Sequence, residues 1–302
     1  MKKFLIKSIL FLVPFILFLM AVECCVRLLP NTYKYKDAWM QTNGKSVSAL
    51  ILGNSHAYYD LIPAEIGDSV FNLSNVSQRI EHDFFLLQRY ADECPQLEKV
   101  VLVVDNSNLF DCTMEEDEPG RLTYYQLYMG YDKHSRFSRY AFELSSMTSF
   151  KAKMEKWLKG EGLDCDSLGW GRNYTLERRT SDALNPIHVK PHQVKKWDDA
   201  YRNARDVESI AQWCKQHGIQ LVMLATPVCA EYNRRVNTEQ RHFLQQLYLH
   251  CQQQYQVEVL DYSADQRFLD NDFFDPDHLS DQGARKFSRI LHNDLKNYNY
   301  NN

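Results

Sequence analysis

The chain has 302 residues, of which 44% are hydrophobic and 25% charged, with a formal net charge of −4. That is enough apolar material to bury a full core, and the composition excludes a disordered or collagen-like chain. Basic and acidic residues are interspersed without a basic stripe, which excludes a nucleic-acid-binding surface as the main partner site.

In chain order, Lys2, Lys3 and Lys7 precede an apolar stretch from Ser8 to Val22, which Glu23 and Arg27 close. Its length suits either a short membrane anchor or a signal-peptide core. No small-x-small cleavage site follows, and Cys24 is preceded by Glu23 rather than a small residue, so an uncleaved anchor over residues 1–30 is the preferred reading. The leading lysines favour a cytoplasmic N-terminus. Residues 31–302 would then lie outside a bacterial inner membrane, in the periplasm.

Five β-branched and aliphatic runs predict strands: Val47 to Leu52, Val70 to Leu73, Lys99 to Val104, Gln220 to Ala225, and Val257 to Asp261. Continuous apolar runs of this kind suit strands covered on both faces of a parallel sheet. Between them, helical spacing predicts a helix capped by Ser77 that carries Ile80, Phe84, Leu87 and Ala91. A second carries Val207, Ile210 and Cys214 and stops at Gly218. A third starts near Asn237, and the last follows Ser280. With right-handed crossovers, this order predicts an α/β fold with a three-layer, doubly wound parallel sheet.

From about 111 to 197 the alternation breaks into an insertion after the third strand, with an aromatic cluster of Tyr124, Tyr125, Tyr128 and Tyr131 and a helical stretch around Phe142 to Leu158. The aromatics could stack on sugar rings or form a small local core, and the second is the simpler reading. Cys214 and Cys251 read as buried small hydrophobes. Cys112 and Cys165 could form a disulfide across the insertion, though no spacing demands it.

Two short segments carry the chemistry. Gly53-Asn54-Ser55-His56 leaves the first strand, and Asp275-Pro276-Asp277-His278 precedes the last helix. A serine hydroxyl needs an imidazole to take its proton, and the imidazole needs a carboxylate to orient it. Ser55, His278 and Asp275 supply all three, with Asp277 as an alternative orienter expected to point away. Histidines elsewhere are scattered without ligand spacing, so neither a metal nor a cofactor is expected.

On these residues the chain resembles the SGNH/GDSL hydrolase superfamily, and within it the membrane-anchored bacterial branch of DltD-like and alginate-acetylation proteins. The first block matches Gly53-Asn54-Ser55-His56. The last block, Asp-x-x-His followed by Leu and a Gly-Ala, matches Asp275, His278, Leu279, Gly283 and Ala284. The resemblance covers the sheet-forming parts and not the insertion, and it implies a flavodoxin-like SGNH fold. It also implies an oxyanion hole built from the Ser55 backbone, a second-block residue and a third-block Asn. Here Ser77 stands where the family has Gly, and Asn106 is the better candidate for the Asn, with Asn108 as a fallback. Thr226 and Tyr232, after the fourth strand, would line the substrate cleft.

What the resemblance implies is a serine-dependent acyl-ester hydrolase or O-acyltransferase acting on exported or envelope polysaccharide. The alternative is a catalytically inactive relative that binds glycan or a membrane O-acyltransferase partner, motivated by the altered second and third blocks. A phospholipid esterase is a third reading, but no apolar acyl groove is evident in the sequence.

Overall fold

The structure is a computed structural model that describes residues 2–133 and 138–299. The chain divides into two compact units, one of Met1–Asp37 with Glu118–Leu163 and the other of Ala38–Asp117 with Asp164–Asn302.

The second unit holds a five-stranded sheet in the order β2-β1-β3-β4-β5. The strands are β1 (Ala49–Leu52), β2 (Val70–Asn72), β3 (Lys99–Val103), β4 (Gln220–Ala225) and β5 (Glu258–Asp261). All neighbouring pairs are parallel. Each expected strand therefore forms, most of them a residue or two shorter than the apolar run that announces them. Ile51, Val101, Val103, Val222 and Leu224 pack with Phe287, Leu291 and Leu295 of the Asp281–Asn299 helix. Strand residues alternate in direction, so the intervening Leu50, Leu52, Val100, Leu102 and Met223, equally buried, face the opposite layer. There the Ile80–Ala91 and Thr238–Tyr255 helices pack against the Trp197–Gln216 helix. This is the three-layer α/β/α arrangement, and it explains why the strands read as unbroken apolar runs.

The helix boundaries follow local chemistry. The Asn237 side chain accepts the backbone N–H groups of Glu239 and Gln240, Gly218 adopts φ +68° beyond a helix end, and Ser280 Oγ accepts the Gly283 N–H at 3.2 Å. Ser77 is a correction. It does not cap the Ile80–Ala91 helix, whose N-cap is Arg79. Ser77 instead sits at φ +59° in the turn just before it, a conformation most side chains avoid and glycine adopts freely.

In the first unit, the Lys2–Leu28 helix contains a 23-residue segment, Ile6–Leu28, long and apolar enough to cross a membrane. The Pro119–Tyr128 and Met147–Leu158 helices come from the insertion. Tyr33 meets Tyr124 and Tyr125 with ring centroids 5.1 and 5.0 Å apart, and Tyr125 is completely buried. The aromatic cluster is thus a local core and not an open sugar platform. Cys112 and Cys165 are both free thiols, so the disulfide does not form. Cys214 and Cys251 are buried, as small hydrophobes would be.

Candidate active site

Gly53 sits at φ +133° at the end of β1, and a Cβ there would meet the Val103 and Ala57 side chains at 2.9 and 3.0 Å. Only glycine makes this turn without displacing the sheet. The turn opens the Ser55–Asp60 helix, with Asn54 as N-cap accepting the His56 N–H at 3.1 Å. Ser55 therefore occupies the first helical position, where the helix itself supplies no acceptor for the backbone N–H.

At the other end of the chain, a tight turn brings the Phe274 N–H to the His278 carbonyl at 2.9 Å. The Asp275 carboxylate accepts the His278 backbone N–H at 2.9 Å and faces His278 Nδ1 at 3.0 and 3.2 Å. His278 Nε2 then lies 2.9 Å from Ser55 Oγ. The three residues singled out as nucleophile, base and orienter thus meet within hydrogen-bond reach, across 223 positions of sequence.

Buried contacts set that distance. Asp60, at the end of the serine helix, accepts the Leu279 N–H at 2.9 Å, and Ser288 Oγ accepts the Ile62 N–H at 2.8 Å. Gly283 permits the last helix to start here, because a Cβ would collide with the Asp272 carbonyl. The His278 ring stands edge-on to Tyr59, Tyr174 and His56, with interplanar angles of 86°, 89° and 82°. Tyr174 is itself sandwiched between Tyr59 and Phe274. The imidazole is held by rings as well as by its carboxylate.

Asp277 does not point away. Its carboxylate lies 3.6 Å from His278 Nδ1 and 3.5 Å from His56 Nε2. His56 in turn faces Asp105 through Nδ1 at 2.8 Å, and both residues are buried. Carboxylate and imidazole alternate from Asp105 through His56 and Asp277 to His278 and finally Ser55. Burial opposes a charge on His56, but Asp105 and Asp277 outweigh it and hold its pKa well above 6.5. For His278, burial again acts downward, and Asp277 and then Asp275 raise the pKa above the ordinary value. Burial acts upward on Asp277, but the His278, His192 and His56 rings outweigh it and hold its carboxyl well below the usual carboxylate range. The donor atoms of His56, Asp277 and His278 lie within 4.8 Å of one another. Such a trio could also hold a divalent cation, but the contacts above already pair each group with an opposite charge.

Three further sequence expectations change. Asn106 donates through Nδ2 to the His192 carbonyl at 3.0 Å and accepts from Gln240 through Oδ1 at 3.0 Å. Both ends of the amide are engaged in this way, which leaves at most one Nδ2 hydrogen for an oxyanion. Asn108 is engaged too, with the Asp105 N–H and the Val103 carbonyl. Thr226 Oγ1 lies 3.1 Å from His56 Nδ1, and the Tyr232 hydroxyl accepts the His192 N–H at 3.3 Å. Both side chains line a cavity of about 50 Å³ behind His56, room for a few waters and not for a sugar. They hold the relay in place and do not form an open cleft.

Sequence reasoning missed His56, Asp105 and Asp83 as members of the site. Asp83 accepts the Gly53 N–H at 2.8 Å and Gln78 Nε2 at 2.6 Å, which ties the serine turn to the turn carrying Ser77. Burial pushes its carboxyl up to about 7. Because the folded value exceeds the ordinary 3.8, the native state binds more protons between about pH 4 and pH 7. This contribution to stability is full below pH 4 and is lost as pH rises through 7. Asp60 is raised to about 7 as well. Asp83→Asn is therefore expected to flatten, but not abolish, the decline of the urea midpoint between pH 4 and pH 8. An unchanged slope would show that Asp83 does not titrate in that range.

No family model matches this sequence. No curated protein matches it either. A solved chain from Streptococcus pneumonia, provisionally described as a platelet activating factor, is similar at a TM-score of 0.38 and 15% identity over 93% of this chain and 98% of its own. That likeness is too low to carry an argument, and the functional reading rests on the residues themselves.

Proposed function

We propose that the chain is a serine-dependent acyl-ester hydrolase or O-acyltransferase acting on exported or envelope polysaccharide. The observation that carries this reading is the continuous contact from Ser55 Oγ to His278 Nε2 at 2.9 Å and from His278 Nδ1 to Asp275 at 3.0 Å. In the proposed reaction Ser55 Oγ attacks the ester carbonyl while His278 Nε2 takes its proton. Asp275 holds the imidazole in the tautomer with Nδ1 protonated and stabilises its cation. The tetrahedral intermediate collapses as His278 returns the proton to the departing alkoxide, leaving an acyl-Ser55. Water then releases the acid, or a sugar hydroxyl takes the acyl group.

With Asn106 engaged elsewhere, the oxyanion falls to the backbone N–H groups of Ser55 and Ser77. The left-handed turn at Ser77 supports that assignment, since it is the backbone geometry a glycine at this position would adopt. Placement at the envelope rests on the apolar Ile6–Leu28 helix and the lysines before it. The glycan as substrate rests on the resemblance of the two catalytic blocks.

The direct test is hydrolysis of a short activated acetyl ester by the detergent-solubilised full chain. Because His278 must be neutral to accept a proton, kcat/KM is expected to rise with pH through an apparent pKa above 6.5. Asp277→Asn removes the carboxylate whose charge acts most strongly on His278, and should move that acidic limb to lower pH. A limb that stays in place would assign the effect to Asp275 alone.

A further inference from the structure

The Met147–Leu158 helix of the first unit carries a largely exposed apolar stripe. Met147, Trp157 and Leu158 are 61%, 54% and 74% exposed, and Phe142 just before the helix is 49% exposed. Phe150 and Met154, half-buried, lie between them at helical spacing, so the five residues on the helix share one face. Lys151 and Lys159 are exposed beside it. A scattered surface leucine means nothing, but a contiguous Phe, Met, Trp and Leu face flanked by lysines is the pattern of a helix lying in a bilayer interface.

The inner side of the same helix is fixed. Lys153 is buried and pairs with the buried Glu143, which also accepts the Tyr128 hydroxyl at 2.5 Å. The segment leading into the helix is clamped to the last turns of the Lys2–Leu28 helix. Glu23 accepts the backbone N–H groups of Glu143 and Leu144 at 2.9 and 3.0 Å, and Arg27 donates to the Ala141 carbonyl at 2.9 Å. Glu23 and Arg27 also pair with each other at 2.7 Å. These charges close the apolar segment, so they belong where a spanning helix leaves the hydrocarbon. The clamp therefore places the start of the Met147–Leu158 helix at headgroup level.

From this we propose that the Met147–Leu158 helix lies on the membrane surface, with Met147, Phe150, Met154, Trp157 and Leu158 in the interface of a lipid bilayer bearing anionic headgroups. The inference rests on the spanning role given to Ile6–Leu28 under the proposed function, and not on the catalytic chemistry. Tryptophan suits the boundary because its ring is apolar and its N–H polar, and the lysines can extend their stems over apolar surface toward the headgroups.

The test uses the full chain reconstituted in phosphatidylethanolamine and phosphatidylglycerol vesicles with bromine-labelled acyl chains brominated near the glycerol. Fluorescence is read in the fraction that floats with the vesicles. One of the chain's five tryptophans is Trp157, so wild-type emission should be quenched by a component that Trp157→Phe lacks. Equal fractional quenching in the two proteins overturns the proposal and leaves the stripe to a protein partner. A chain that fails to float overturns it together with the anchor. Neither outcome reads ester hydrolysis, so a catalytically silent protein would still decide the matter.

Discussion

Ser55→Ala is expected to lower kcat for a short acetyl ester by on the order of 10⁴-fold or more, with the folded structure intact. Ser55 Oγ is the one hydroxyl at 2.9 Å from His278 Nε2 among the contacts described, and alanine leaves the Asn54 cap and the Gly53 turn untouched. His278→Gln should cost a similar factor, because an amide cannot shuttle the proton. The double variant should be little worse than either single one, since residues that act as a unit are not additive. Steady-state hydrolysis with circular dichroism on each variant checks this. Near-additive losses would mean that the two residues do not share a step.

The second large effect concerns stability as well as rate. His56→Leu would leave Asp105 and Asp277 facing each other without the imidazolium between them, in a site where His56 and Asp105 are buried. Breaking a buried pair by removing one partner costs about 3–5 kcal/mol. A drop of that size should appear as a lower urea midpoint near neutral pH. In His56→Leu combined with Asp105→Leu the buried Asp105 carboxylate is gone and Asp277 keeps His278 and His192 beside it, so much of the stability should return while activity stays low. If His56→Leu alone is as stable as the native chain, the imidazole is neutral and the charge relay behind the triad does not exist.

The sheet was legible because parallel strands covered on both faces must be apolar throughout, which Val100 to Val103 and Leu221 to Ala225 display without ambiguity. The meeting of Ser55, His278 and Asp275 was legible for a different reason. Asp275 and His278 lie three residues apart in one turn, and the glycine before Asn54-Ser55 announces the sharp exit from β1. Contacts between distant segments were not legible. Nothing local marks Asp105 as the partner of His56, or Asp83 as the acceptor for Gly53, since each pairing depends on how β1, β3 and the Ile80–Ala91 helix are brought together. Asn106 misled for the same reason. Its type suits an oxyanion donor, but the Gln240 and His192 that capture its amide come from positions 134 and 86 residues away. Ser77 was misjudged as a cap because a serine before an apolar helical pattern is more often a cap than a left-handed turn residue.

In the proposed reaction Ser55 is a nucleophile activated by His278, and everything else follows from that step. Treating the full chain with a fluorophosphonate and locating the adduct by peptide mass spectrometry reads that activation at the residue itself. A single phosphonylated residue, Ser55, is expected, with labelling abolished in Ser55→Ala and strongly slowed in His278→Gln. Labelling at another residue, or equal labelling of the native chain and Ser55→Ala, would contradict it.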